Sequence, residues 1–135
     1  MDLEKFVAAA GDAIIAADRE GRIVSWNPAA ERIFGYAASE AIGRTLDLIV
    51  PERYRARHWD GYRTVMRSGQ TRYGAQVLRV PALHKDGRAL SIAFTVTLIA
   101  STRGVETIAA IVRDETARWN EERALRRRVA DLEGD

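Results

Sequence analysis

The sequence predicts an α+β fold: a five-stranded antiparallel sheet covered by short helices, with a C-terminal amphipathic helix of coiled-coil character. Three observations predict it. Strand-like segments fall in two groups, a short pair before residue 27 and a longer set after residue 72. Between them lie short stretches with helical spacing, opened by Asn-Pro and closed by Gly. From Glu115 the pattern turns helical again, with Leu125, Val129 and Leu132 at the 4-then-3 spacing of a coiled-coil seam. Strands that come in runs, with helices inserted between them, are most simply arranged as one sheet with helices on one face.

Each element has a local reason. Leu3, Phe6, Val7 and Ala10 form the stripe of a short amphipathic helix, capped by Asp2 and ended by Gly11. Ala13–Asp18 and Arg22–Trp26 are strands joined by the tight Glu20-Gly21 turn. Asn27 and Pro28 open a helix that Gly35 stops. Residues 38–43 read as one further turn, fraying or starting late at Ser39 because Ala37 and Ala38 offer no cap. Pro51 to Ser68 is a longer helix, ended by Gly69. Residues 72–83 form a strand in which Pro81 marks an edge or a bulge. Lys85-Asp86-Gly87-Arg88 is a hairpin turn. In the next strand Leu90, Ile92, Phe94, Val96 and Leu98 point to one buried side, and Ser91, Ala93, Thr95 and Thr97 to the other. Val105–Arg113 is the last strand.

Composition narrows the chemistry. A chain of 135 residues, 47% apolar and 30% charged, is one globular domain. The absence of cysteine excludes a disulfide framework, a cysteine zinc site, an iron–sulfur cluster and a thiolate nucleophile. No apolar run is long enough to span a membrane, and the acidic N-terminus (Asp2, Glu4, Asp12) resembles neither a secretory signal nor a transit peptide, so a cytoplasmic location is expected. The net charge of +2 is weak support for nucleic-acid binding, and residues 117–135 balance five arginines with five acids. No nucleophile elbow, zinc-helix motif, phosphate loop or dinucleotide fingerprint is present, and no acid–base constellation emerges, so an enzyme is not expected. Glu31 and Glu40 read as solvated, and His84 as a solvated hairpin-turn residue.

Three stretches, Asp12–Tyr36, Ile42–His58 and Val80–Val96, resemble the PAS domain family, sensory modules of bacterial signalling proteins. Trp26 to Arg32 followed by Phe34-Gly35-Tyr36 carries the likeness most specifically. The segment Arg113–Leu125 is similar to the family's signal-exit segment, in which Asp-x-Thr starts an output helix; Asp114 and Thr116 stand at those positions. The resemblance implies a sensory domain over residues 1–114 and a signalling helix over 115–135. It further implies a cytoplasmic homodimer coupled to an output domain or a partner kinase, as in two-component systems. Leu3, Phe6 and Val7 on the first helix, with Leu125, Val129 and Leu132 on the last, are the expected dimer contacts. The last helix lying back on its own sheet is the alternative.

The fold implies an internal pocket, whose ligand differs from member to member. On the Pro51–Ser68 helix, Tyr54, His58, Tyr62 and Val65 fall within roughly 80° of one another at 100° per residue, with Arg53, Arg57, Arg63 and Arg67 on the other side. An imidazole on an apolar stripe needs a hydrogen-bond partner or a metal. Pro51, Glu52, Tyr54, Arg55 and His58 resemble the helix of haem-binding PAS oxygen sensors, which implies His58 as axial ligand and Val96 as the aliphatic residue above the iron. Where those sensors use an arginine, this chain has Leu78, with Arg79 one residue on, usable only through a bulge. Their histidine is followed directly by an acid, whereas Trp59 intervenes here before Asp60. The expected cofactor pocket is thus His58, Tyr54, Tyr62, Leu78, Arg79, Phe94 and Val96. Haem b is the first candidate ligand, with FAD or FMN stacked on Trp26 and Trp59 the second. An empty pocket, or a structural dimerisation domain whose core these side chains fill, is equally open.

Overall fold

The chain's first and last strands lie side by side in the middle of one sheet. The structure, a computed structural model, describes residues 1–71 and 76–133. Its elements are α1 (Leu3–Ala9), β1 (Ala13–Asp18), β2 (Ile23–Trp26), α2 (Pro28–Phe34), α3 (Ala38–Ala41), 3-10 turns at Leu46–Leu48 and Glu52–Tyr54, α4 (Arg55–Ser68), β3 (Leu78–Leu83), β4 (Ala89–Ser101), β5 (Gly104–Asp114) and α5 (Thr116–Glu133). The sheet order is β2-β1-β5-β4-β3 with antiparallel pairings throughout. Because β2 and β3 are its two edges, the helical segment joining them has to run across a whole face. That crossing creates the interior.

Register carries the same parity through the sheet. Leu78 faces Phe94 and Phe94 faces Val112, while Val96 faces Ala110 and Ala110 faces Ile15. These residues therefore share the helix-covered side. Pro81 sits on edge strand β3, opposite Ser91, with no register shift between β3 and β4. Of the expected strand 72–83, residues 72–75 lie outside the described residues, and β3 begins at Leu78.

The core packs under α2. Phe34 and Ile23 are fully buried, and the Trp26 ring lies 5.5 Å from that of Phe34, its Nε1 donating to the Tyr36 carbonyl at 3.0 Å. Asn27 is the one buried polar side chain among the described residues. Its Oδ1 accepts from the amides of Ala30 and Ile14, and its Nδ2 donates to the carbonyls of Val7 and Asp12. One amide thus caps α2 and ties α1 and β1 to it.

Several expectations are corrected. α3 starts at Ala38 rather than Ser39, because two carboxylates replace the missing cap: Glu31, from α2, accepts from the Ala38 amide at 2.7 Å, and Glu40, in the first turn of α3 itself, accepts from the Ala37 amide at 2.9 Å. Glu31 and Glu40 are therefore engaged, Glu40 also by Lys85 at 2.7 Å. His84 is not solvated. Its side chain is 13% exposed and lies over Gly35, where an added Cβ would come within 2.5 Å of the ring. The left-handed glycine that ends α2 leaves the space the imidazole fills. The expected helix from Pro51 is split, its first turn being 3-10 and α4 proper starting at Arg55.

The last helix does not lie back on the sheet: none of the described α5 residues is buried, and Leu125, Val129 and Leu132 are all more than half exposed. Leu3 and Phe6 are likewise exposed on α1, whereas Val7 turns inward beside Trp26 and Asn27. No described helix is long and apolar enough to cross a membrane.

Candidate functional site

Between α4 and the sheet lies a cavity of about 800 Å³. That is within the usual size range of ligand sites, roughly 300–1,000 Å³. Its sheet wall is apolar and is built from the shared parity of the strands: Ile15 on β1, Leu78 and Val80 on β3, Phe94 and Val96 on β4, Ala110 on β5. The 3-10 segment closes one end with Leu46 and Ile49. The pocket side chains therefore line a void, and the expectation of a core filled by their mutual packing is overturned.

The helical wall is α4. At 100° per residue, His58, Gly61, Tyr62 and Val65 share a face of about 100° that lines the cavity. Gly61 lies at one edge of that face, about 60° from His58, and a Cβ added there would meet nothing within 4 Å. The helix is bare where it crosses the void. Beside that gap stands His58, its ring 4.7 Å from Trp59 and 5.9 Å from Tyr62. Its Nδ1 is buried without a hydrogen-bond partner. Burial holds its pKa below the ordinary 6.5, against a weaker upward pull from the Asp47 carboxylate, so the ring is neutral at pH 7. A buried polar nitrogen without a partner calls for an explanation, such as a ligand that supplies one.

Tyr62 is held differently. Its hydroxyl donates to the Asp18 carbonyl, and burial pushes its pKa far up, so it stays a neutral phenol spanning α4 to β1. Trp59 faces away from the cavity. Its Nε1 donates to Asp47 at 2.7 Å, and its ring lies over Gly21, where a Cβ would clash at 2.2 Å. With Trp26 in the core as well, neither indole is placed to stack on a flavin. Tyr54 does not line the cavity; the Arg53 guanidinium lies 4.8 Å from its ring. Arg79 is turned to the opposite side of the sheet, as the unbulged register requires, and pairs with Glu115 at 3.5 Å. Of the seven expected pocket residues, the structure brings together His58, Tyr62, Leu78, Phe94 and Val96, and leaves Tyr54 and Arg79 outside. The β1 and β5 residues of the wall were not anticipated. Both strands are apolar on both faces over much of their length, and only the strand order places β1 next to β5 under the cavity.

The haem fit can be judged on this chain's own residues. Haem needs an apolar slot, a neutral imidazole in one wall and space beside it. His58, the open space at Gly61 and the aliphatic sheet wall supply these, so the residues fit the group: His58 would hold it, with Val96 and Leu78 among the side chains that would enclose it. Among the described residues no cluster of three or more His, Asp or Glu side chains suits a free metal ion.

One end of the cavity wall adjoins the start of α5. Ile92, a lining residue, pairs with Asp114. The neighbouring Ser91 donates its amide to Thr116 Oγ1 at 3.0 Å and accepts from the Glu115 amide at 2.8 Å. Asp114 caps the turn, accepting from the Thr116 amide at 2.9 Å. The root of α5 is thus stitched to β4 by hydrogen bonds one residue from the cavity.

Comparison with known proteins agrees with this architecture. The PAS fold family model matches residues 2–115. The oxygen sensor protein DosP of Escherichia coli is 26% identical over 107 residues, 79% of this chain and 13% of DosP. The sensor protein FixL of Bradyrhizobium diazoefficiens is 45% identical over 51 residues, 38% of this chain and 10% of FixL. The solved structure of an RNA-binding light-oxygen-voltage receptor superposes with a TM-score of 0.75 at 25% identity, covering 95% of this chain and 36% of that one. The chain spans only 10% to 16% of the length of the curated relatives it matches. The five-stranded order, the helical crossing over one sheet face and the match across both place the chain in the PAS family.

Proposed function

We propose that this PAS domain is a haem-based gas sensor, with His58 as the axial ligand and α5 as the route by which the state of the cavity leaves the domain. One observation carries the reading: a neutral imidazole stands in the wall of an apolar cavity with its buried Nδ1 unpartnered. A purely structural histidine would be expected to satisfy that atom within the protein. The partial likeness to an oxygen sensor protein supports the same reading.

When bound, haem supplies an iron position open to a diatomic gas. The chain's residues do the rest. Burial keeps His58 deprotonated and able to donate its lone pair. Gly61 leaves room beside it. Leu78, Phe94 and Val96 exclude water. The Ser91 and Ile92 backbone, shared between the cavity wall and the clamp on Asp114, Glu115 and Thr116, carries a shift of the wall to α5. The exposed stripe of Leu125, Val129 and Leu132, with Leu3 and Phe6, serves homodimerisation and hands the change to an output domain or partner kinase.

The test is spectroscopic. Purified chain titrated with haemin is expected to develop a sharp Soret band at one equivalent, and His58→Ala to lose it while keeping the far-ultraviolet dichroism of the fold. No uptake by the wild-type chain, or an unchanged band in His58→Ala, overturns the reading.

A further inference from the structure

The mouth of the cavity differs chemically from its interior. Arg57, Asp60 and Thr64 line it on one flank of α4, about 40°, 100° and 60° from Gly61 on the side away from His58, and Gln70 and Gln76 line it from the chain leading to β3. The sequence places Arg57 on the side of α4 away from the pocket. The structure brings it to the rim, since it is one residue, about 100°, from His58 and long enough to reach. Two other arginines of α4 are neutralised: Arg55 lies 3.8 Å from Asp47, and Arg63 pairs with Asp60 at 2.8 Å. Arg57 has no ion pair or hydrogen bond among the described residues, and the one acid beside it on the rim, Asp60, is already held by Arg63.

We propose that Arg57 is a specificity residue that selects ligands carrying a carboxylate at the edge of an otherwise apolar body, pairing with that carboxylate at the cavity mouth. The inference rests on the haem reading and refines it. The apolar wall takes the body of the ligand, and Leu78, on the sheet, offers no charge. The unpaired guanidinium then supplies the polar end, with the donor geometry suited to a carboxylate. Because Arg57 is exposed, the pairing contributes modestly and is sensitive to salt.

The experiment compares haemin with its dimethyl ester, which has the same ring without the acids. Dissociation constants are measured for both on the wild-type chain, Arg57→Gln and Arg57→Lys, by tryptophan-fluorescence quenching and by the Soret band. The wild-type chain is expected to bind the diacid about fivefold more tightly than the ester. That preference should vanish in Arg57→Gln, persist in part in Arg57→Lys and shrink at high salt. Equal binding of the two by the wild-type chain, or a preference undiminished in Arg57→Gln, overturns the role of Arg57 and leaves the haem reading standing. Failure of the wild-type chain to take up either compound sinks the haem reading and this inference with it. Unchanged thermal unfolding of Arg57→Gln is the control that separates loss of pairing from loss of fold.

Discussion

His58 ties its own protonation to the stability of the fold. Burial lowers its folded-state pKa below the unfolded 6.5, so at pH values between the two the unfolded chain binds more protons than the folded one. Stability is therefore full above pH 6.5 and falls as the pH drops through the folded pKa. His58→Phe should flatten that dependence in denaturant midpoints measured across this window; an equally steep fall in the variant would assign it to other groups. Gly61, three residues on, makes the converse case. Gly61→Ala adds a methyl to open space and removes a helix-interior glycine, so it should raise stability by about 0.5–1 kcal/mol in denaturant unfolding. Gly61→Phe should fill the bare face and abolish haemin uptake while the chain stays folded. His58 was legible in the sequence because an apolar stripe at helical spacing fixes its orientation. The orientations of Arg57 and Trp59 were not, because a long or flat side chain on the flank of a helix can turn either way, and its partner decides which. For Trp59 that partner is Asp47, twelve residues earlier.

At the scale of elements, helix ends decide the arrangement. Asn27 satisfies all four of its hydrogen-bonding positions and joins α1, β1 and α2. Asn27→Ala should cost about 3 kcal/mol in chemical denaturation, since it strands buried partners as well as an N-cap. It should also raise hydrogen exchange in α1 more than in β4. A loss below about 1 kcal/mol would place the junction elsewhere. The Asn-Pro signal announced the cap, but not the two carbonyls that Nδ2 holds. The same limit explains α3, part of whose cap comes from Glu31 on the preceding helix, and His84, whose seat depends on Gly35 lying beneath it. Local sequence states what a segment can do alone; contacts far apart in the chain supply the rest. Strand alternation survives that limit because its period is imposed by the backbone itself, which is why the stretch of β4 from Leu90 to Leu98 was readable residue by residue.

For the whole molecule, α5 is separable from the fold it leaves. Its described residues are all unburied, and its ties to the sheet are concentrated at Glu115 and Thr116. Deleting residues 117–135 should leave the thermal midpoint within a few degrees, because little apolar surface is lost. It should also lower the sedimenting mass from dimer to monomer. An unchanged mass would move the self-association to another surface. The fold class, strand count and exit helix followed from periodicity and turn chemistry. The cavity did not, because a void is set by how far α4 stands from the sheet, which no local pattern encodes.

The middle position of β1 and β5 has a further consequence. Ala13 is paired with Val112, and just beyond them Asp12 and Arg113 form an ion pair at 3.2 Å, so the strands' entry and departure points are next-door neighbours. A unit wired this way can be spliced into a longer polypeptide like a loop of thread pulled from a seam, the flanking segments scarcely displaced. A tug on the leading helix would then be felt at the trailing one through the β1–β5 ladder that begins where both helices attach.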